Sequence, residues 1–158
     1  MRFSFVSTLL LMALHAFAIA QAQSPAMDWH MANEFSLEGK GWRETESPYV
    51  RFTAKAKEHV SASVWNLSQH SAGICVRFQS DAPTVWARWS LTSAELAMPH
   101  MPATGVSGVD LYGRDKRGKW VFVGNGRPTL VEGNVASFGV DNGVSEMREY
   151  LLYLPLYN

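Results

Sequence analysis

Apolar and polar residues alternate along several short stretches of this 158-residue chain, with the two-residue period of a strand that buries one face. Val60, Ala62 and Val64 alternate with Ser61 and Ser63. In the next run Ile74, Val76 and Phe78 share a face and Arg77 takes the other. Residues 84–91 repeat the pattern, with Val85, Ala87, Trp89 and Leu91 inward and Trp86, Arg88 and Ser90 outward. Three strands are thus predicted, with residues 66–73 as the loop joining the first pair and Ser80-Asp81-Ala82-Pro83 as the turn joining the second. The glycine-bounded run 118–124 follows the charged turn 114–117 and predicts a hairpin with a strand at 109–112. Residues 150–157 are apolar on both faces, the mark of a strand buried from two sides. Pro155 near its end implies that one edge there lacks a ladder partner. Helical character is confined to residues 92–98 and 143–149, a turn or two each. Many short strands without a βαβ rhythm predict an all-β fold, a two-sheet antiparallel β-sandwich that is jelly-roll-like.

The amino terminus departs from this pattern. After Met1-Arg2-Phe3, residues 6–20 are apolar except for Ser7, Thr8 and His15, and small residues follow at Ala18, Ala20 and Ala22. One positive charge, a short apolar run and small residues together describe an export signal cleaved near Ala20 or Ala22. The run is shorter than the roughly 20 residues that a membrane span requires. The expected organisation is a signal peptide at 1–22, a short tether at 23–27 and one β-sandwich domain at 28–158, in a secreted or periplasmic protein without a membrane span. Fourteen basic residues balance fourteen acidic ones, so no electrostatic footprint for nucleic acid or an anionic membrane is present. The single cysteine, Cys75, excludes an internal disulfide, and its thiol is expected to be buried.

Catalytic chemistry is hard to find. A serine hydrolase requires a nucleophile in a tight turn beside a general base, and neither a Gly-Asp-Ser block nor a Gly-x-Ser-x-Gly elbow occurs. Gly105-Val106-Ser107-Gly108 comes near, with the wrong spacing. No phosphate loop, His-Glu-x-x-His or EF-hand spacing is present, and no cofactor is expected. Two Met-His clusters, Met27, His30 and Met31, and Met98, His100 and Met101, carry ligands suited to copper. Methionines filling gaps beside hydrogen-bonded loop histidines are the preferred reading of both. Asp110 lies between Val109 and Leu111, so it shares the outward face with Tyr112 if those two enter the core. There it is expected to seek Arg88, Arg114 or backbone amides. Gly105, Gly108 and Gly113 are expected to give this strand backbone freedom at its ends. Trp42, Trp86 and Trp120 are candidates for stacking against carbohydrate, or for a second core layer or a contact with another domain.

The run Gly108-Val109-Asp110-Leu111-Tyr112 matches G-x-D-L-Y. Gly39-Lys40-Gly41-Trp42, Val64-Trp65-Asn66-Leu67-Ser68, Ser71-Ala72-Gly73, Val76-Arg77-Phe78 and Tyr153-Leu154-Pro155-Leu156-Tyr157-Asn158 accompany it in order. In these segments the chain resembles the GxDLY family, domains found just before SGNH-hydrolase-type (GDSL-like) esterases. The resemblance implies a non-catalytic accessory module, with an SGNH-type catalytic domain as partner and acyl esters, with carbohydrate as a candidate carrier, as that domain's substrates. It also implies that residues 98–105 form a loop carried towards the esterase, with Met98, His100 and Met101 at its cleft, or else capping the sandwich. Asp110 and Tyr112 would then serve structure or interdomain contact. Relatives run on beyond Asn158, so the last strand is expected to expose an edge and permit an edge-strand dimer. A free-standing carbohydrate-binding module, a periplasmic copper-binding protein and a truncated gene product are the alternatives.

Overall fold

A computed structural model describes residues 27–140 and 146–158. The expected signal peptide, the tether before Met27 and much of the helical turn expected at 143–149 lie outside the described residues. In chain order the strands are β1 (Ser36–Glu38), β2 (Cys75–Ser80), β3 (Thr84–Trp89), β4 (Val109–Arg114), β5 (Trp120–Gly126), β6 (Asn134–Gly139) and β7 (Arg148–Tyr153). The helices are α1 (Ala62–Ser68) and α2 (Ala103–Val106), with 3-10 turns at Ala32–Glu34 and Ala54–Glu58. One sheet has the order β1-β2-β7-β4-β5, the other pairs β3 with β6, and every pairing is antiparallel. This is the expected all-β sandwich, with layers of five and two strands.

The core fills the space between the sheets because the alternation does what its period dictates. Val85, Ala87, Phe138 and Val140 from the smaller layer meet Val109, Leu111 and Tyr150 from the larger, with Phe78, Trp89, Val123, Ala136 and Leu152 packed around them. Fully burying a side chain of this size contributes roughly 1.5–3 kcal/mol. Trp86 and Arg88 point outward as their positions predict. The 114–117 turn joins β4 to β5, with the Asp115 carboxylate accepting from the amides of Arg117 and Lys119 at 2.9 and 2.8 Å. Cys75 is free and buried, as expected of its thiol.

Three expectations fail, and a fourth is cut short where the described residues allow it to be judged. Residues 60–64 form no strand: Ser61 caps α1, its hydroxyl accepting from the Val64 amide at 3.4 Å, and Trp65 N donates to Ser61 O. Ser-Ala-Ser-Val satisfies a period of two, but a serine cap and an Ala62 start favour the local bonds of a helix. The helix also consumes the first part of the expected 66–73 loop. Residues 92–98 hold no helix, and the helical turn falls later, in α2, after Pro102. Likewise the chain from Arg148 is already strand, so the turn expected at 143–149 does not persist to its end. Finally, the last strand has no free edge, because β7 lies between β2 and β4. The ladder stops at Tyr153, so Pro155 lies beyond it and deprives no neighbour of a bond.

Candidate functional site

The signature region from Met98 to Asp110 lies around one end of the sandwich. β4 enters the larger sheet there at Val109, and β7 leaves it at Tyr153, directly opposite Asp110. Upstream of β4 the chain makes a tight turn in which Met98 and Met101 exchange backbone hydrogen bonds of 2.9 and 3.1 Å, leaving Pro99 and His100 at the tip. His100 is exposed, while Met98 and Met101 are half-buried. The Met101 side chain lies against Gly105, so its thioether is engaged in packing. α2 follows, and Ser107 then becomes the anchor of the whole end. Its carbonyl accepts from Trp89 Nε1 at 3.0 Å, and its fully buried hydroxyl accepts from Asn158 Nδ2 at 2.5 Å. Tyr157 N donates to Val106 O at 3.0 Å, and the Ser71 hydroxyl donates to Pro155 O at 2.7 Å. The serine that came nearest to a nucleophile by motif is thus a buried brace. Ser71, Ser107 and Asn158 carried no pattern that distinguishes a brace from a surface polar residue.

Gly108 owes its place to space and not to backbone freedom. Its φ is not positive. A Cβ there would collide with the Thr104 carbonyl and sit 2.8 Å from Gly126 O, so only glycine lets α2 fold back onto the head of β4. Gly113 is similarly tight, with the Tyr150 ring 3.1 Å from where a Cβ would stand.

From Val109 onward the strand alternates as expected. Val109 and Leu111 are buried in the core, and Asp110 and Tyr112 face outward on the larger sheet. Neither expected arginine reaches Asp110. Arg88 sits on the other sheet, its guanidinium 4.8 Å from the Trp29 ring, and Arg114 Nη1 pairs with Glu149 at 2.7 Å. Among the described residues no ion pair or side-chain hydrogen bond engages Asp110, and burial pushes its carboxyl above the usual carboxylate value.

The outer face on which Asp110 sits has two halves. One is a closed charge network: Arg77 holds Glu38 through Nε and Nη2 at 2.6 and 3.0 Å and Glu149 through Nη1 at 2.5 Å. Both carboxyls are held below their usual value, first by the hydrogen bond from Arg77. Trp120 completes it, with the guanidinium carbons of Arg77 and Arg114 at 5.4 and 5.3 Å from its ring. The other half is aromatic. Tyr112 meets Phe122 and Tyr153 edge-on, with centroids 5.5 and 5.6 Å apart. Phe122 and Tyr153 were not anticipated as site residues: the bulge between Leu111 and Tyr112 re-registers β5 and turns Phe122 to this face, and a run apolar on both faces does not show which face Tyr153 takes.

The three candidate stacking tryptophans do not form one platform. Trp86 stands 43% exposed on the outer face of the two-stranded sheet, and Trp120 lies on the opposite side of the sandwich under its two arginines. Trp42 is exposed and packs edge-on against Phe52 at 5.3 Å. In the amino-terminal Met-His cluster, His30 faces Asp28 at 3.3 Å and Glu34 at 3.5 Å, with Met27 and Met31 exposed. A shallow recess of about 210 Å³ opens beside the carboxyl-terminal segment, lined by Arg51, Leu67, His70, Ala72, Leu156 and Tyr157. Its guanidinium is occupied, since Arg51 donates to the carbonyls of Leu67 and His70. Among the described residues no helix is long and apolar enough to cross a membrane.

No curated protein matches the chain. A crystal structure described as that of a GDSL-like lipase from Bacteroides ovatus superposes on it with a TM-score of 0.71 and 32% sequence identity. The match covers 80% of this chain and 36% of that one, so the chain spans about a third of its neighbour's length. Residues 27–158 match the family model described as GxDLY, the N-terminus of SGNH-hydrolase-type esterases. With that match reaching across both sheets and the Ser107 brace, the chain belongs to the GxDLY family, the amino-terminal part of SGNH-hydrolase-type esterases.

Proposed function

We propose that this chain is a non-catalytic accessory module of an exported SGNH-type esterase, and that the turn carrying Met98, His100 and Met101 helps wall the substrate cleft of the catalytic domain. The observation that carries the reading is the brace at Ser107. It ties the segment through which the family's chain passes on, Tyr157-Asn158, to α2, just beyond the His100 turn. A domain entered from that segment starts beside the turn. Pro99 and Pro102 flank His100 and limit the backbone of the tip, so a contact made there loses little conformational freedom. The substrates would be acyl esters, with carbohydrate as their carrier. His100→Ala in a full-length esterase carrying this module is expected to change kcat/KM for an acetylated substrate while leaving the melting temperature unchanged. Unaltered kinetics would refute the cleft role. Purified chain alone is expected not to hydrolyse an activated acetate ester. Turnover that disappears with one serine replaced would refute the accessory reading itself.

A second reading is supported by Trp86 and Trp42, each exposed and neither engaged in the charge network around Arg77. Sugar C–H faces pack on such rings. Retardation of the chain in gels containing acetylated xylan, lost in Trp86→Ala, would favour glycan binding.

A further inference from the structure

We infer that the aromatic half of the larger sheet's outer face, Asp110 with Tyr112, Phe122 and Tyr153, is the surface on which the SGNH-type catalytic domain docks, with a basic side chain of that domain paired to Asp110. The inference rests on the accessory-module reading and gives that module its contact surface.

The division of the face is the first argument. Its charged half satisfies itself, each of Arg77, Glu38, Glu149 and Arg114 having an opposite charge within 3.0 Å, and so offers a partner nothing that water does not. The aromatic half is incomplete. Phe122 is 51% exposed and Tyr153 is also exposed, while Leu151 and Cys75 form a buried floor in the same rows of the sheet. Tyr112 locks the two outer rings by edge contacts, so the patch is stiff before anything binds.

The second argument is charge. Asp110 stands between Tyr153 and Asn125 on this face, with no ion pair or side-chain hydrogen bond among the described residues, and the two arginines expected to serve it are committed elsewhere. A half-buried carboxylate is stabilised by an opposite charge far more than by water at its rim, so the missing element is a cation brought by the docked surface. Burial also pushes the Asp110 carboxyl above its usual value, which a cation beside it would reverse.

Position is the third. Asp110 is register partner to Tyr153, the last residue of β7, and only four residues lie between Tyr153 and Asn158. Those residues are already pinned to α2. A catalytic domain reached from there lies within a few residues' span of the patch.

The test is calorimetric titration of the whole chain with the catalytic portion of the Bacteroides ovatus protein, first shown to hydrolyse p-nitrophenyl acetate. Sedimentation of the chain alone and gel retardation on acetylated xylan accompany it. Expected is a one-to-one complex that Asp110→Asn and Phe122→Ala each weaken about tenfold or more, and that Trp86→Ala, on the opposite face, leaves unchanged. A complex indifferent to Asp110 and Phe122 overturns the docking surface and spares the accessory reading. No complex with any variant, given a folded chain and an active probe, overturns both. Dimerisation abolished by Phe122→Ala, or glycan retardation abolished by Asp110→Asn, assigns the patch to another occupant and also overturns the proposal.

Discussion

Asp110 and Gly108 show what a short motif encodes at the scale of single residues. Alternation alone placed Asp110 and Tyr112 outward and Val109 and Leu111 in the core, and the structure agrees. What alternation does not contain is the crowding around Gly108, because Thr104 and Gly126 approach it through tertiary folding. Gly108→Ala is expected to destabilise the chain by about 1–3 kcal/mol, the usual range for a side chain forced into a filled space, read as a lower denaturant midpoint at unchanged slope. Asp110 behaves in the opposite sense. Burial raises its carboxyl above the unfolded value of about 3.8, so the folded state keeps its proton to higher pH than the unfolded state does. Stability is therefore fullest below the unfolded value and declines as pH rises through the folded one. Asp110→Asn is expected to melt higher than the wild type at pH 7, with the gap closing as the pH is brought below about 4. A lower melting point for the variant at pH 7 would mean that the carboxylate is already paired.

At the scale of elements, the strands that were legible are those in which apolar residues recur at every second position. β2, β3, β4, β5 and β7 each declare an apolar face. β1 and β6 went unread. β1 is only three residues long, and β6 alternates Val135, Ser137 and Gly139 outward against Asn134, Ala136 and Phe138, with a polar residue at one inward position. Asn134 is buried because its side chain organises the 129–133 turn: Oδ1 accepts from Thr129 and Leu130, and Nδ2 donates to Leu130 O at 2.8 Å. No local pattern separates such an asparagine from a surface one. α1 was misread for a related reason. In a five-residue window Val-Ser-Ala-Ser-Val fits a strand, and only the cap at Ser61 and the tertiary hold on Ser68 decide for helix. Arg51 supplies part of that hold, its amide donating to Ser68 O at 2.9 Å. Ser61→Ala is expected to lower stability by about 0.5–2 kcal/mol, and Ser61→Asp to restore it. Thermal melts followed by far-ultraviolet circular dichroism would register both.

At the scale of the molecule, the question is what keeps the sheets from pairing with other chains. A last strand with an open edge would have made dimerisation the default, but β7 is the centre of its sheet and both its edges are paired. The open edges belong elsewhere. β1 offers three residues, too few for a stable ladder, and β5 is interrupted by the bulge opposite Leu111 and Tyr112. β5 also curls towards β6: a Cβ on Gly124 would stand 3.3 Å from the Phe138 ring, and one on Gly126 would stand 2.9 Å from Ala136 Cβ. Its glycines are there to let the two layers approach along that side, which shields the edge that a seven-residue strand would otherwise present. Strand addition is thereby disfavoured on both sides of the larger sheet, and the routes left for self-association are the edges of the two-stranded sheet, where β3 and β6 have one ladder partner each, and the aromatic patch around Tyr112. The chain is expected to sediment as a monomer at micromolar concentration and to associate, if at all, only at concentrations far above that. A dimer that survives Phe122→Ala would show that backbone edges pair after all, and a dimer that this substitution dissolves would place the contact on the aromatic face.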